Sequence, residues 1–126
     1  MEIRSAKDLD VYKVSYELAM DIFRVSKTFP AEEKYSLTDQ IRRSSRSVCA
    51  CLREAWAKRR YEANFVSKLT DCDAENSETD TWLDFAKDSG YLSLADHKSL
   101  VEKCTRVGQM LGRVMQAKEK FKLRDE

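Results

Sequence analysis

Apolar residues recur at helical intervals along almost the whole of this chain. Val11, Val14, Leu18, Ile22, Val25 and Phe29 follow one another at spacings of 3, 4, 4, 3 and 4, which puts them on one stripe of a helix and matches the seam of a helical bundle. Asp8 or Asp10 is suited to cap the first turn of that helix. Pro30 closes it, because the proline ring disfavours helical geometry at Phe29. After a short connection over residues 31–36, the segment from Gln40 to Tyr61 runs without Gly or Pro and carries Ile41, Ser45, Val48, Leu52 and Ala55 on a second narrow face. Ser36 and Asp39 stand at the spacing of a capping box before it. A tight connection near Arg60 leads to a third stripe, Phe65, Leu69, Cys72, Leu83 and Ala86, with polar Asn76 and Thr79 in the same seam, a weakening of that core. Gly90 is placed as a left-handed helix terminus, and Ser93 with Asp96 repeats the capping spacing before the fourth helix. There Leu100, Cys104, Val107, Leu111, Val114 and Phe121 recur with Lys118 intervening, and the tail from Lys122 is expected to fray.

The pattern predicts helices at roughly 9–28, 37–60, 62–89 and 94–121 in a single domain spanning 1–126. The fold class is all-α. Helices of about 20 residues or more joined by short connections form an antiparallel up-down-up-down four-helix bundle. Composition agrees: 3 Gly and 1 Pro among 126 residues are too few for a turn-rich β fold, while 36% charged and 42% hydrophobic residues suit amphipathic helices. No apolar run approaches the roughly 20 residues that cross a bilayer, and the first residues lack the apolar stretch of a secretory signal. A cytoplasmic location without membrane contact is therefore expected, and in a reducing compartment the 4 cysteines pack as small hydrophobes.

Charge adds a second kind of asymmetry. The net formal charge is only +1, yet it is strongly segregated. Between Gln40 and Tyr61 the cations Arg42, Arg43, Arg46, Arg53, Lys58, Arg59 and Arg60 oppose the single acid Glu54, a net of +6. Between Asp71 and Asp88 seven acids oppose Lys87, a net of −6. On a helix, Arg42, Arg46, Cys49, Arg53, Trp56 and Arg60 share the face beside the apolar seam, so the second helix presents cations to phosphate or to an acidic partner.

Other chemistry is poorly supported. Cys49 and Cys51 point about 200° apart on one helix and cannot aim at one ion. His97 is the only histidine, and Leu94 stands where a di-iron bundle would carry Glu. There is no glycine-rich phosphate loop, and no nucleophile has a recognisable base beside it. No metal, cofactor or catalytic residue is expected. Gly108 and Gly112 have a spacing that marks close packing of a neighbouring helix, and Trp56 and Trp82 read as core or interface anchors.

The pieces AspLeuAspVal at 8–11, PhePro at 29–30, GlnIleArgArg at 40–43 and GlyTyrLeu at 90–92, taken in order, resemble the small bacterial four-helix-bundle proteins encoded within 23S rRNA intervening sequences. Those proteins are in turn similar to the accessory variability proteins of diversity-generating retroelements. The likeness covers roughly Leu9 to Val114. It implies a ring-like homopentamer and, for the retroelement relatives, a basic surface that engages nucleic acid and a reverse transcriptase. Where that family usually reads Asn-Ile-Ala-Glu-Gly-x-Gly, this chain has residues 51–57, with Ala55 and Ala57 in place of both glycines. Each replacement removes about 1 kcal/mol of helix penalty, so the second helix should run on unbroken.

Two functions follow as expectations. One is a non-enzymatic oligomeric module whose seven second-helix cations contact the phosphates of RNA or DNA without reading bases. The other is a structural or protein-interaction module in which the basic helix pairs with the acidic one, through residues such as Asp73 or Asp80, within the oligomer.

Overall fold

The computed structural model describes residues 2–123. The described residues hold four long helices, α1 (Asp10–Ser26), α2 (Asp39–Ala57), α3 (Glu62–Asp88) and α4 (Leu94–Gln116), followed by a single turn α5 (Lys118–Phe121). Each long helix packs on the next, and α1 packs on α4, so the four enclose one core. The register is antiparallel. Glu54 meets Lys68 and Ser44 meets Thr79 across α2 and α3, while His97 meets Asp84 and Cys104 meets Asn76 across α3 and α4.

The apolar stripes form that core. Val11, Ile22, Ile41, Leu52, Phe65, Leu69, Leu83, Val107 and Leu111 are almost wholly withdrawn from solvent, and each large side chain so buried contributes about 1.5–3 kcal/mol before the entropy of ordering it. The polar interruption in α3 is satisfied within the bundle. Asn76 Nδ2 donates to the Cys104 carbonyl at 2.9 Å, and the Ser44 and Thr79 hydroxyls meet at 2.8 Å. Thr79 also donates to the Glu75 carbonyl at 2.9 Å. The seam therefore couples α3 to α2 and α4 rather than leaving a polar face in need of another subunit.

Helix ends depart from the sequence reading in several places. Leu9, which has no capping oxygen, stands at the start of α1. Asp8 instead closes a capping box with Ser5 around the short 3-10 turn Ala6–Asp8, accepting from the Arg4 and Ser5 amides at 2.9 and 3.1 Å. α1 ends at Ser26, before Pro30, because Lys27, Thr28 and Phe29 turn their amides back onto Arg24, Val25 and Ser26. The connection to α2 is helical rather than irregular, with a 3-10 turn Ala31–Glu33 and a π-helical turn Lys34–Thr38 running directly into α2. Ser36 makes no capping box there, since its hydroxyl donates to the Glu33 carboxylate at 2.7 Å. Finally, the fourth helix breaks at Ala117 before resuming as α5. Lys122 is already extended and Leu123 lies outside any helix, whereas residues 124–126, the remainder of the tail expected to fray, lie outside the described residues.

Two ends match. At the end of α3, Gly90 takes φ 82°, and the Tyr91 and Gly90 amides donate to the Ala86 and Lys87 carbonyls, both at 2.9 Å. Crossed bonds of this kind around a left-handed glycine satisfy carbonyls the helix leaves open. Ser93 caps α4 by accepting from the Asp96 amide at 3.0 Å.

Candidate nucleic-acid interface

The seven cations of the basic segment do not form one surface. Arg43 turns toward α3, where it pairs with Glu75 at 3.3 Å and with Glu78. The hydrogen bond to Glu78 raises its pKa above the ordinary arginine value. These acids, rather than Asp73 or Asp80, are the partners α3 offers to α2. Asp73 and Asp80 lie on the other side of α3, lining a hollow with Cys104, Thr105 and Gly108 of α4. Arg59 folds over Trp56, with its guanidinium 4.0 Å from the ring centroid and a 2.8 Å hydrogen bond to the Trp56 carbonyl. It satisfies a C-terminal carbonyl of α2, and its partial burial lowers its pKa. Arg60 is exposed in the connection to α3 and is itself engaged in a contact. Arg53 and Lys58 are exposed.

Arg42 and Arg46 lie on the α1 side of α2, and there the arrangement differs. The Arg42 guanidinium sits 4.9 Å from the centroid of Phe23 and donates to the Ser26 hydroxyl at 2.8 Å. Arg46 stands 5.7 Å from the same ring, and the Lys27 ammonium 4.8 Å from it. Three cations therefore surround one aromatic side chain. None of the three has a carboxylate ion-pair partner among the described residues. Asp39 is the acid of the neighbouring depression, which it lines with Arg42, Arg43 and Arg46. The acid of α2's own interior, Glu54, is drawn away to Lys68 at 2.6 Å, whose hydrogen bond holds its carboxyl below the usual range. Like charges gathered with no ion-paired carboxylate repel one another, and a phosphate placed among them relieves that repulsion.

Beyond Arg46 the groove between α1 and α2 continues as an aromatic wall. Tyr12 and Tyr16 stack with ring centroids 6.3 Å apart, and Tyr16 is 55% exposed. With Ala19, Met20, Arg46 and Cys49 they line a hollow of about 300 Å³. Cys49, predicted on the arginine face, is buried beneath this groove, and desolvation pushes its thiol up to about 11. Cys51 turns the other way, toward Cys72 of α3.

Residues 7–113 match the family described as 23S rRNA-intervening sequence protein. The chain belongs to that family. A protein of unknown function from the S23 ribosomal protein family of Bacteroides thetaiotaomicron, whose crystal structure is known at 1.70 Å, is similar to this intervening-sequence protein with a TM-score of 0.77. The two are 29% identical, and the likeness covers 87% of this chain and 98% of the other. No curated protein matches the chain. Neither likeness names an activity or a retroelement protein. In this family member α2 runs unbroken through Ala55 but ends at Ala57, three residues short of the end expected near residue 60, with Lys58 already outside helical geometry.

Reading the basic segment by itself found Arg42 and Arg46 but missed what completes their site, namely Phe23 and Lys27 at the end of α1 and the Tyr12 and Tyr16 pair. A signal was present. Tyr12, Tyr16 and Phe23 are spaced by 4 and 7 residues, a second stripe beside the apolar seam of α1.

Proposed function

We propose that this intervening-sequence protein is a non-enzymatic, self-associating helical module that holds nucleic acid by its phosphates along the α1–α2 face. The observation that carries the reading is the convergence of Lys27, Arg42 and Arg46 on Phe23 with no carboxylate ion-paired to any of them among the described residues. Arg53, exposed seven residues beyond Arg46 on α2, extends the cationic track. Contacts of this type position a backbone and read no bases, so affinity is weak and tolerant of sequence, with Kd around 10⁻⁴ to 10⁻⁶ M per site at physiological salt. Self-association, as the homopentamer that the family resemblance implies, repeats the track around a ring and raises affinity for long strands. Large apolar side chains left in solvent, Tyr35, Phe85 and Leu94, are available for such contacts. A reverse transcriptase as a protein partner, and a cytoplasmic location, belong to the same proposal; no helix among the described residues is long and apolar enough to cross a membrane.

Changing both Arg46 and Arg53 to Glu tests the reading. Binding to long RNA or DNA, followed by fluorescence anisotropy across a salt series, should weaken, and its salt dependence should flatten by about 0.7–0.9 for each phosphate no longer neutralised. Light scattering should give a pentamer mass before and after. Absence of binding by the unaltered protein at low salt, or loss of the oligomer in the variant, refutes it. The second reading, charge pairing as a purely structural device, is favoured by Arg43 with Glu75 and Glu78, and the broken oligomer is the outcome it requires.

A further inference from the structure

We infer that the α1–α2 face selects single-stranded over duplex nucleic acid, with Tyr12 and Tyr16 as a base-stacking platform beside the phosphate-binding cations. The inference rests on the nucleic-acid reading above and adds to it the class of strand. Arg46 belongs to both halves of the site, since it stands against the Phe23 ring with Lys27 and Arg42 and also lines the hollow under Tyr12 and Tyr16. Tyr16 and Phe23 are seven residues apart on α1, about 10 Å along the axis. A single chain lying in the groove can therefore place a phosphate at the cations and a base on the tyrosines at once.

Duplex nucleic acid offers only the first of these contacts, because its bases are stacked on one another and turned inward. An unpaired strand offers both. Tyr16 is more than half exposed, with its ring already parallel enough to Tyr12, at an interplanar angle of 28°, to extend a stack outward. Stacking on an aromatic side chain accepts any base, since every base has a π face, so the preference is for strandedness and not for sequence. Charge selects the occupant. The groove wall is Tyr, Met and Ala with Arg46, the cations at its end carry no ion pair among the described residues, and the acids of α1 on the far side, Glu17 and Asp21, are held by Lys103 of α4.

The test compares Tyr16→Ala, Tyr16→Phe and Arg46→Glu, each bound to a long unstructured single strand and to a duplex of the same length at one low salt concentration. Tyr16 is chosen because it is exposed, so its loss leaves the core untouched. Tyr16→Ala should weaken single-strand binding about five- to a hundredfold, the range measured for stacked bases, leave duplex binding within about twofold, and be rescued by Tyr16→Phe. Arg46→Glu should weaken both. If Tyr16→Ala affects neither strand while Arg46→Glu weakens both, the stacking inference fails and the phosphate-binding reading stands. If Tyr16→Ala weakens both equally, or changes the mass seen by light scattering, the tyrosines serve the fold or a contact between copies, and the inference again fails. No binding of either strand by the unaltered protein removes the underlying reading itself.

Discussion

Gly108 and Gly112 show what spacing reveals about single residues and what it does not. Sharing a face, they read as a close-packing motif, yet only Gly108 meets the neighbouring helix. A Cβ there would lie 3.6 Å from Asn76 Nδ2, an ordinary contact, and a Cβ at Gly112 would meet nothing within 4 Å. Gly112 therefore lowers the stability of α4 without a packing return. Gly112→Ala should raise the unfolding free energy by about 0.5–1 kcal/mol, seen as a rise of a few degrees in Tm by calorimetry or circular dichroism. Gly90→Ala makes the opposite control, since at φ 82° a side chain is strained by about 1–2 kcal/mol. Gly90 was legible because a helix terminus is encoded locally. The surroundings of Gly112 depend on which helix packs opposite, and no local pattern contains that.

The long helices themselves were plain in the sequence, because an apolar stripe of period 3.6 needs only the residues that carry it. Their ends were less so. The π-helical turn before α2 leaves Ser36 outside any cap, and the break at Ala117 follows no Gly or Pro. The candidate site was half visible for a related reason. The cations of α2 lie within one short segment, but their partners lie 32 and 35 residues away for Arg43 and 16 and 19 residues away for Arg42, so which arginine is engaged depends on the register between helices. The same division by helix face governs the thiols. Cys49, Cys72 and Cys104 are buried, and desolvation raises all three, Cys49 to about 11 and Cys104 to about 12. The thiolate is the reactive form. With a thiol-exchange reagent at pH 8, the partly exposed Cys51 should react first in the native protein, and the other three only at the rate of unfolding. Fast reaction of more than one thiol per chain would show that this packing is wrong.

Over the whole molecule, ion pairs tie the helices together in several places, Arg43 to Glu75 and Glu78 among them. Lys68 of α3 holds Glu54 of α2, and Lys103 of α4 holds Glu17 and Asp21 of α1. Glu17 and Glu54 are kept below their ordinary value of 4.5, in each case first by the hydrogen bond from the lysine. A carboxyl whose pKa falls on folding adds stability above its unfolded pKa and loses it as the pH drops through the folded one. Thermal melts should therefore give a Tm that is level from pH 7 to about 5 and falls below about pH 4.5. Both pairs are solvent-exposed, so the effect is modest and shrinks in high salt. A Tm that stays level down to pH 3 would show that these pairs contribute nothing.

The bridge from Lys103 to Glu17 and Asp21 has one more consequence, which concerns time rather than stability. It joins residues 86 and 82 positions apart, whereas the other helix pairs are neighbours in the chain and meet across short connections. Closing so long a loop costs entropy before any contact repays it. Docking of α1 on α4 is thus the step expected late on the folding path, after the hairpins α1–α2, α2–α3 and α3–α4 have formed. Interactions made after the rate-limiting barrier leave the folding rate almost unchanged and set how fast the native state comes apart. Lys103 acts in this sense as a latch, whose loss would shorten the lifetime of the closed bundle while leaving its rate of formation alone.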